Sequence, residues 1–471
     1  WVKMTCGNVS FSIILLQLTS PIKGTDSGII NSIIKTAVVP PVLLAVAAVL
    51  CYLFIVRGMY ALEDLPVKKI PRWSKICIEV VMVVFFLHTV QVQGTEIGMW
   101  DYIQSVRESS DFYEKEYVNP AKVKMTFPKE KKNLIYIFME SMESSYADKE
   151  DGGTMDDNYI PNLTKLAREN VQFTDKKDGK VGGPVCLEAT AYTAGGLVAQ
   201  TSAINLKVMN SGAVSDSFLP NLTALGDILN KQGYNQMFLC GSDGDFAGRD
   251  AYFKTHKDYQ IEDYKAAIKE GDIPKDYKVY WGHEDKVLYE RAKKNLKKLS
   301  KEGKPFNLTM LTVDTHFPNG YICDLCENKY DTTYGNAVAC ADRQVYDFVQ
   351  WIKKQDFYED TTIIIAGDHT SMVDTGSKFW KSLSNDYQRT VYNAIINPQC
   401  AYKKKVTTKR KFSTMDMFPT TLAALGVEID GNKLGLGTNL FSGEETLREE
   451  LGANYINKEL KRNDKMYNQF Y

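Results

Sequence analysis

Apolar residues follow two patterns along the chain. Up to about residue 94 they form unbroken blocks. "TAVVPPVLLAVAAVLCYLFIV", 36 to 56, carries no charge and has the length a bilayer-crossing helix needs. "ICIEVVMVVFFLHTVQV", 76 to 92, is shorter and includes Glu79 and His88, and it predicts a second span. Between them lie Arg57, Lys68, Lys69, Arg72 and Lys75. The positive-inside rule puts that loop in the cytoplasm and everything beyond about residue 95 outside. The run "SFSIILLQL" is too short to span and predicts an interfacial segment. A cleaved signal peptide fits poorly, because the second span and its basic flank come too late. The chain begins at Trp1, so the expectation is a longer protein with further spans.

After residue 95 the pattern changes. Residues 95 to 130 intersperse Tyr, Lys and Glu and predict a juxtamembrane helix and linker. From 131 to 471, short apolar runs alternate with amphipathic segments. The predicted strands are "LIYIFM" (134 to 139), "QMFLC" (236 to 240), "FNLTMLTV" (306 to 313), "TTIIIAG" (361 to 367) and "YNAIIN" (392 to 397). "LPNLTALGDILNKQ", "EDKVLYERAKKNLKKL" and "ADRQVYDFVQWIKKQ" read as helices between them. Such alternation predicts an α/β domain, a mostly parallel sheet covered by helices on both faces. "PNLTKL" at 161 and "PNLTAL" at 220 both read as Pro-led helix starts. "YKKKVTTKRK", 402 to 411, predicts a solvated loop or hairpin. With 57 basic and 58 acidic residues, the chain has no general attraction to nucleic acid.

Ligands of open parallel sheets bind beyond the carboxyl ends of the strands. Glu140 lies at one such end, Asp314 and His316 at a second, and Asp368 and His369 at a third. Carboxylates with one imidazole suit a divalent cation such as Mn²⁺. "CDLC" at 323 to 326 is a weak zinc signal, since no second such pair accompanies it. A reaction also needs a nucleophile. In "GGPVCLEATAYTAGGLVAQTSAINL" a Gly-Gly turn precedes a helical segment with Thr190 and Thr193 near its start. A hydroxyl there has free backbone N–H groups and the positive end of the helix dipole beside it, which suits an incoming phosphate.

Seven stretches carry a resemblance: "NLIYIFMESMESSY", "AYTAGGLVAQTSAINL", "FAGRDAYFKTH", "PFNLTMLTVDTHFPNGY", "CADRQVYDFVQWI", "IIIAGDHTSM" and "LGLGTNLFS". Over about 131 to 442 the chain resembles the membrane phosphoglycerol transferases of the alkaline phosphatase/sulfatase superfamily. That group includes lipoteichoic acid synthase and the enzyme that decorates periplasmic glucans; "LTVDTHFPNGY" and "FAGRD" lean toward the latter. The resemblance implies that Glu140, Asp368 and His369 hold one metal ion, Mn²⁺ or Mg²⁺, with Thr193 as fourth ligand and nucleophile. It implies that Arg249 and His316 contact the phosphate and glycerol of the substrate, and that His316 protonates the leaving alkoxide. "CGSDGD", before Arg249, departs from the lipoteichoic pattern and leaves Asp243 or Asp245, with Trp281 and His283, as further pocket candidates. The donor implied is phosphatidylglycerol, and the acceptor a hydroxyl of a glycan or glycerophosphate polymer, at the outer face of a bacterial cell membrane. Cys326 and Cys340 are expected to pair, with Cys323 as competing partner. The alternatives are a phosphoethanolamine transferase, whose sites are richer in His, and a sulfatase, whose Cys/Ser-x-Pro-x-Arg signature "AYTAGG" lacks. A catalytically dead membrane scaffold is the non-enzymatic alternative.

Overall fold

The computed structural model describes residues 39–63, 72–177, 179–207 and 217–471, with isolated positions 11, 15 and 35. Apart from 11 and 15, the interfacial run 10 to 18 lies outside the described residues, as do Lys68 and Lys69. The two long apolar blocks are helical: α1 is Val39–Glu63 and α2 is Arg72–Glu96. Their apolar side chains, among them Leu44, Phe54, Phe85 and Phe86, are exposed. Among the described residues no single helix is long and apolar enough to cross a membrane. One bent pair, Glu79–Glu96 with Met99–Arg107, passes by length and composition, with 75° between its halves. Gly98 sits at the bend in the left-handed region, φ 71°, where a side chain would be strained.

Six strands form the central sheet: β1 Asn133–Met139, β2 Asn235–Cys240, β3 Tyr259–Glu262, β4 Phe306–Leu311, β5 Thr361–Gly367 and β6 Asn393–Ile396. Their order is β3-β2-β4-β1-β5-β6. All neighbours are parallel except β5 and β6, so the sheet is mixed, with an antiparallel edge. The five expected strands are all present. β3 was not legible, because it has four residues and only Tyr259 and Glu262 are buried.

Strand alternation divides the core in two. Leu134, Tyr136 and Phe138 of β1 face a cluster that includes Leu197, Val198 and Ala199 of helix α3, Thr193–Ser202. Ile135, Ile137 and Met139 face the other side, with Leu288 and Leu296 of helix α4, Asp285–Leu299, and Val345 and Phe348 of helix α5, Thr333–Ile352. A strand buried on both faces reads as continuous apolar sequence, which is why β1 and β5 stand out. Segment 109–126 runs along the C-terminal part of the fold. Ser109–Ser110 pairs with Asn463–Asp464, and Met125–Thr126 with Glu428–Ile429.

One of the two Pro-led helix starts is corrected. Helix Pro161–Glu169 begins at its proline, and Asp342 accepts from the free N–H groups of Asn162 and Leu163 at 3.2 and 2.7 Å. At Pro220 the chain makes a turn instead, closed by Leu222 N–H to Leu219 O at 3.0 Å. The helix waits until Leu225, where Asp227 accepts from Ala224 N–H at 2.9 Å. Capping chemistry, more than the proline, decides where each helix starts. The basic run holds a short turn, Lys404–Thr407, with Lys403, Lys404 and Lys405 exposed. Arg410 is buried on Glu449, at 2.9 and 3.0 Å.

Candidate functional site

Glu140 follows the last residue of β1 and is buried. Its backbone is tied to the tip of β4: Glu140 N–H donates to Thr312 Oγ1 at 2.9 Å, and the Thr315 hydroxyl donates to Glu140 O. Its carboxylate accepts from Ser141 Oγ at 2.7 Å. Because Met139 is in register with Gly367, Asp368 and His369 leave β5 directly beside it. Asp368 Oδ1 accepts from the N–H groups of Ser141 and His369, both at 2.8 Å. Asp368 Oδ2 is buried without a hydrogen-bond partner. His369 Nδ1 donates to Thr370 O at 2.8 Å, which leaves Nε2 turned to the acids, 3.4 Å from Glu140 Oε1 and 3.5 Å from Asp368 Oδ2. One ligand atom from each of the three side chains lies within 4.8 Å of the other two.

Thr193 is the first residue of α3, and its hydroxyl joins this cluster: Oγ1 donates to Glu140 Oε2 at 3.2 Å and lies 3.4 Å from His369 Nε2. Thr190 does not reach it, because its hydroxyl closes a local turn with Leu187 O and Leu187 N–H at 2.9 and 2.8 Å. The glycine pair of "TAGG" explains how the helix comes so near. A Cβ on Gly196 would stand 2.1 Å from Asp368 O, so only glycine lets α3 lie against the backbone of the β5 tip. Gln200, one helical turn further on, donates to Gly367 O at 2.9 Å and accepts from Tyr136 OH at 2.9 Å, fastening the helix to both strands.

The charges are strongly coupled. Burial and the Glu140 carboxylate push Asp368 up to about 8. Burial would raise Glu140 too, but the charge of His369 and the hydrogen bonds from His369 and Ser141 overcome it and hold it below the usual carboxylate range. Burial alone would lower His369, yet Asp368 and Glu140 push it up to about 10. Two acids confined with one imidazole in this way favour a divalent cation, whose charge offsets both carboxylates. The Asp368 oxygen without a hydrogen-bond partner, the His369 Nε2 turned toward both acids and the all-O/N donor set fit a hard or borderline metal ion.

Glu143, the second acid of "MESME", has a different task. Arg389 grips it with two N–H groups, and Ser371 N–H donates to it at 2.8 Å. Arg389 also donates to Ser371 O at 2.7 Å and lies over the Trp380 ring. The pair therefore braces the loop that carries Asp368 and His369.

Arg249 and His316 approach the same rim. Arg249 is buried, donating to Phe246 O at 3.0 Å, Ser242 Oγ at 3.0 Å and Asp243 O at 2.8 Å, and its guanidinium lies over the Phe246 ring. Trp281 packs between Phe246 and His316, with ring centroids 5.1 and 4.7 Å away. Burial lowers His316, and its Nδ1 donates to Phe317 O at 2.8 Å, so the lone pair of the neutral ring sits on Nε2. Tyr280, which the sequence did not mark, donates its hydroxyl to His316 O and Phe317 O at 2.6 and 3.0 Å and holds that loop in place. Asp243 and Asp245 pair with Lys265 at 2.7 and 2.8 Å. His283 is fully buried, and its backbone N–H donates to Gly241 O at 2.9 Å. None of these three joins the metal-type cluster.

Asp314 stands apart from that cluster too. Both its carboxylate oxygens are buried without partners, and burial together with Asp285 raises its carboxyl well above the ordinary value. Asp285 accepts from Val313 and Asp314 N–H at 2.8 and 3.2 Å and is pushed up by burial to about 7. A carboxyl that binds its proton more tightly when folded supports stability below its unfolded value, near 4, and loses that support as pH rises. Asp314→Asn should therefore match wild type near pH 4 and melt about 2 °C or more higher at pH 8. Parallel pH profiles for the two proteins would assign the effect elsewhere.

Comparison with known proteins adds to this geometry. A sulfatase family model matches residues 132–427. Phosphoglycerol transferase I of Salmonella choleraesuis is 33% identical over 340 residues, covering 70% of this chain and 41% of its own. The Shigella flexneri protein of the same name matches equally, at 33% over 340 residues. The chain thus spans about two fifths of the length of these curated relatives. Among solved structures, lipoteichoic acid synthase LtaP from Listeria monocytogenes superposes with a TM-score of 0.52 at 18% identity, over 68% of this chain and 79% of its own. The integral membrane phosphoethanolamine transferase EptA from Neisseria meningitidis gives 0.51 at 16%, over 91% and 81%. Both likenesses concern the fold.

Proposed function

Because the chain belongs to the sulfatase family, within the alkaline phosphatase superfamily, we propose that it transfers phosphoglycerol from phosphatidylglycerol to an acceptor hydroxyl and releases diacylglycerol. The observation that carries this reading is the Thr193 hydroxyl at the start of α3, held 3.2 Å from Glu140 and 3.4 Å from His369. The names of the curated relatives support the choice of phosphoglycerol as the transferred group.

Glu140, Asp368 and His369 would hold one divalent ion, Mn²⁺ with Mg²⁺ as a substitute, and Thr193 Oγ1 would be the fourth donor. An ion so held lowers the pKa of a hydroxyl it touches and draws electron density from a phosphoryl oxygen. In the first step Thr193 Oγ1 bonds to phosphorus, the bond from phosphorus to the diacylglycerol oxygen breaks, and the hydroxyl proton ends on diacylglycerol. In the second step the acceptor oxygen bonds to phosphorus, the Thr193–phosphorus bond breaks, and the acceptor proton returns to Thr193. Arg249 spends Nε and Nη2 on Phe246, Ser242 and Asp243, and Nη1 is left for a phosphoryl oxygen. His316, neutral with its lone pair on Nε2, would relay these protons, taking the Thr193 proton and passing it to the leaving diacylglycerol oxygen, then taking the acceptor's proton and returning it to Thr193. The Trp281 and Phe246 rings beside it limit water at the rim.

The acceptor would be a glycan or glycerophosphate polymer of the cell envelope. α1 and α2, exposed and apolar, would anchor the protein in the bacterial membrane with the catalytic part outside, in reach of a lipid donor in the same leaflet. Spheroplasts supplied with headgroup-labelled phosphatidylglycerol test both ideas together. Label should move to a glycan or polymer fraction, stop with chelator, return with Mn²⁺, and stop when protease is added outside. Transfer that survives metal stripping, or that external protease leaves intact, would sink the mechanism or the orientation respectively.

A further inference from the structure

Away from the metal-type cluster, the loop that leaves β4 brings two cysteines against a third on α5. Cys326 is bonded to Cys340 on α5, 14 positions away in sequence. The Cys323 thiol lies 3.6 Å from Cys326 Sγ, at van der Waals contact with the disulfide. Cys323 and Cys340 are both buried, and Cys326 N–H donates to Cys323 O at 3.1 Å, which folds the "CDLC" turn back on itself. A surface cleft bordered by Cys340, Glu327 and Arg343 opens on the helix side of the bond. The three sulfurs lie within 4.8 Å of one another, so the Cys323 thiol stands beside the S–S bond and not on its axis, and thiol–disulfide exchange, which proceeds by attack along that axis, begins with a rotation of the Cys323 side chain.

We propose that Cys323, Cys326 and Cys340 form an internal exchange centre with two disulfide states. The Cys323 thiolate attacks Cys326 Sγ, a Cys323–Cys326 bond forms, the Cys326–Cys340 bond breaks, and Cys340 leaves as thiolate and takes up the proton Cys323 lost. One disulfide and one thiol stand on each side of the step, so no oxidant or reductant is consumed. Burial holds the Cys323 proton, with the charges of Asp314, Asp324 and Glu284 adding to it, so the exchange is slow at rest. It has a mechanical result. In the first state the loop is tied covalently to α5; in the second the tie lies within the "CDLC" turn and α5 is released. The same loop carries His316, and its Gly320 and Tyr321 N–H groups bond back to His316 O and Asp314 O at 3.0 and 2.7 Å. Breaking the anchor therefore loosens the segment that positions His316.

The test is thiol mapping on the folded, oxidised protein. Samples held in mildly alkaline buffer are quenched in acid, unfolded, labelled with a maleimide at acid pH and mapped by mass. Label on Cys340 should rise as label on Cys323 falls, with their sum constant. In Cys323→Ser, which lacks the attacking thiol, no label should appear on Cys340. Cys340→Ser should fold with a Cys323–Cys326 disulfide. Three outcomes overturn the proposal: label that stays on Cys323 alone at all times, Cys340→Ser protein with Cys323 and Cys326 both reduced under glutathione disulfide, or three free thiols around a co-purifying metal ion.

Discussion

Thr193→Ala should lower diacylglycerol release from phosphatidylglycerol by about four orders of magnitude or more, the loss typical when a nucleophile is deleted from a site that otherwise stays whole. A threonine hydroxyl is far too weakly acidic to react unaided near neutral pH, so its reactivity depends on the groups around it. The substitution removes Oγ1 and leaves Arg249, Trp281 and His316 as they stand, so lipid should still bind. Wild-type protein given phosphatidylglycerol without acceptor should gain a glycerophosphoryl mass on the peptide that carries Thr193. Thr193→Ser, which keeps the oxygen, should keep part of the rate. An adduct on Thr190, or near-normal turnover by the alanine variant, would falsify the assignment. Thr190 has little scope for the role, since both its hydroxyl contacts are spent on Leu187.

Gly196→Ala should be nearly as damaging, although residue 196 touches no substrate. The added methyl would stand 2.1 Å from Asp368 O and 2.8 Å from its carbonyl carbon. Backbone at a strand tip cannot swing aside as a side chain can, so α3 must move. A displacement of about 1 Å at a reacting group costs on the order of a hundredfold in rate. Overpacking of this kind also costs about 1–3 kcal/mol of stability. We therefore expect a folded protein with weaker metal affinity by calorimetry, a lower melting temperature and about a hundredfold slower transfer. Normal kinetics in Gly196→Ala would mean that α3 has slack and that Thr193 is not held by this contact.

Much of this arrangement was legible in the sequence, for identifiable reasons. β1, β4 and β5 are buried on both faces and so read as apolar runs, and Glu140 and Asp368 stand out because polar residues end those runs. The Gly-Gly step of "TAGG" marks a close approach, though not what is approached. The unread parts depend on partners distant in sequence. Arg389 reaches Glu143 across 246 positions, and Gln200 reaches Gly367 across 167; neither residue looks unusual in its own neighbourhood. Thr190 and Thr193 are three positions apart in a similar setting, and only the local turn around Leu187 tells them apart. Tyr280 is less conspicuous in the sequence than Trp281 beside it, since the work of its hydroxyl lies on a loop 36 residues later. At Pro220 the sequence pattern predicts a helix start, whereas the caps of neighbouring carboxylates decide the boundary.

The place of β1 in the sheet also sets the order in which the protein can become active. β1 lies between β4 and β5, so a chain growing from its N-terminus holds Glu140 without neighbours until both later strands exist. Asp368, whose carboxylate receives the Ser141 N–H, follows that residue by 227 positions. Closing so long a loop is slow and brings no reward until the last strand pairs. The four side chains therefore meet only when synthesis has passed His369, well after the apolar helices at the front of the chain have been made. The site is thus assembled late in the protein's own manufacture, and an unfinished chain carries Thr193 without the Asp368 and His369 side chains that it meets in the fold.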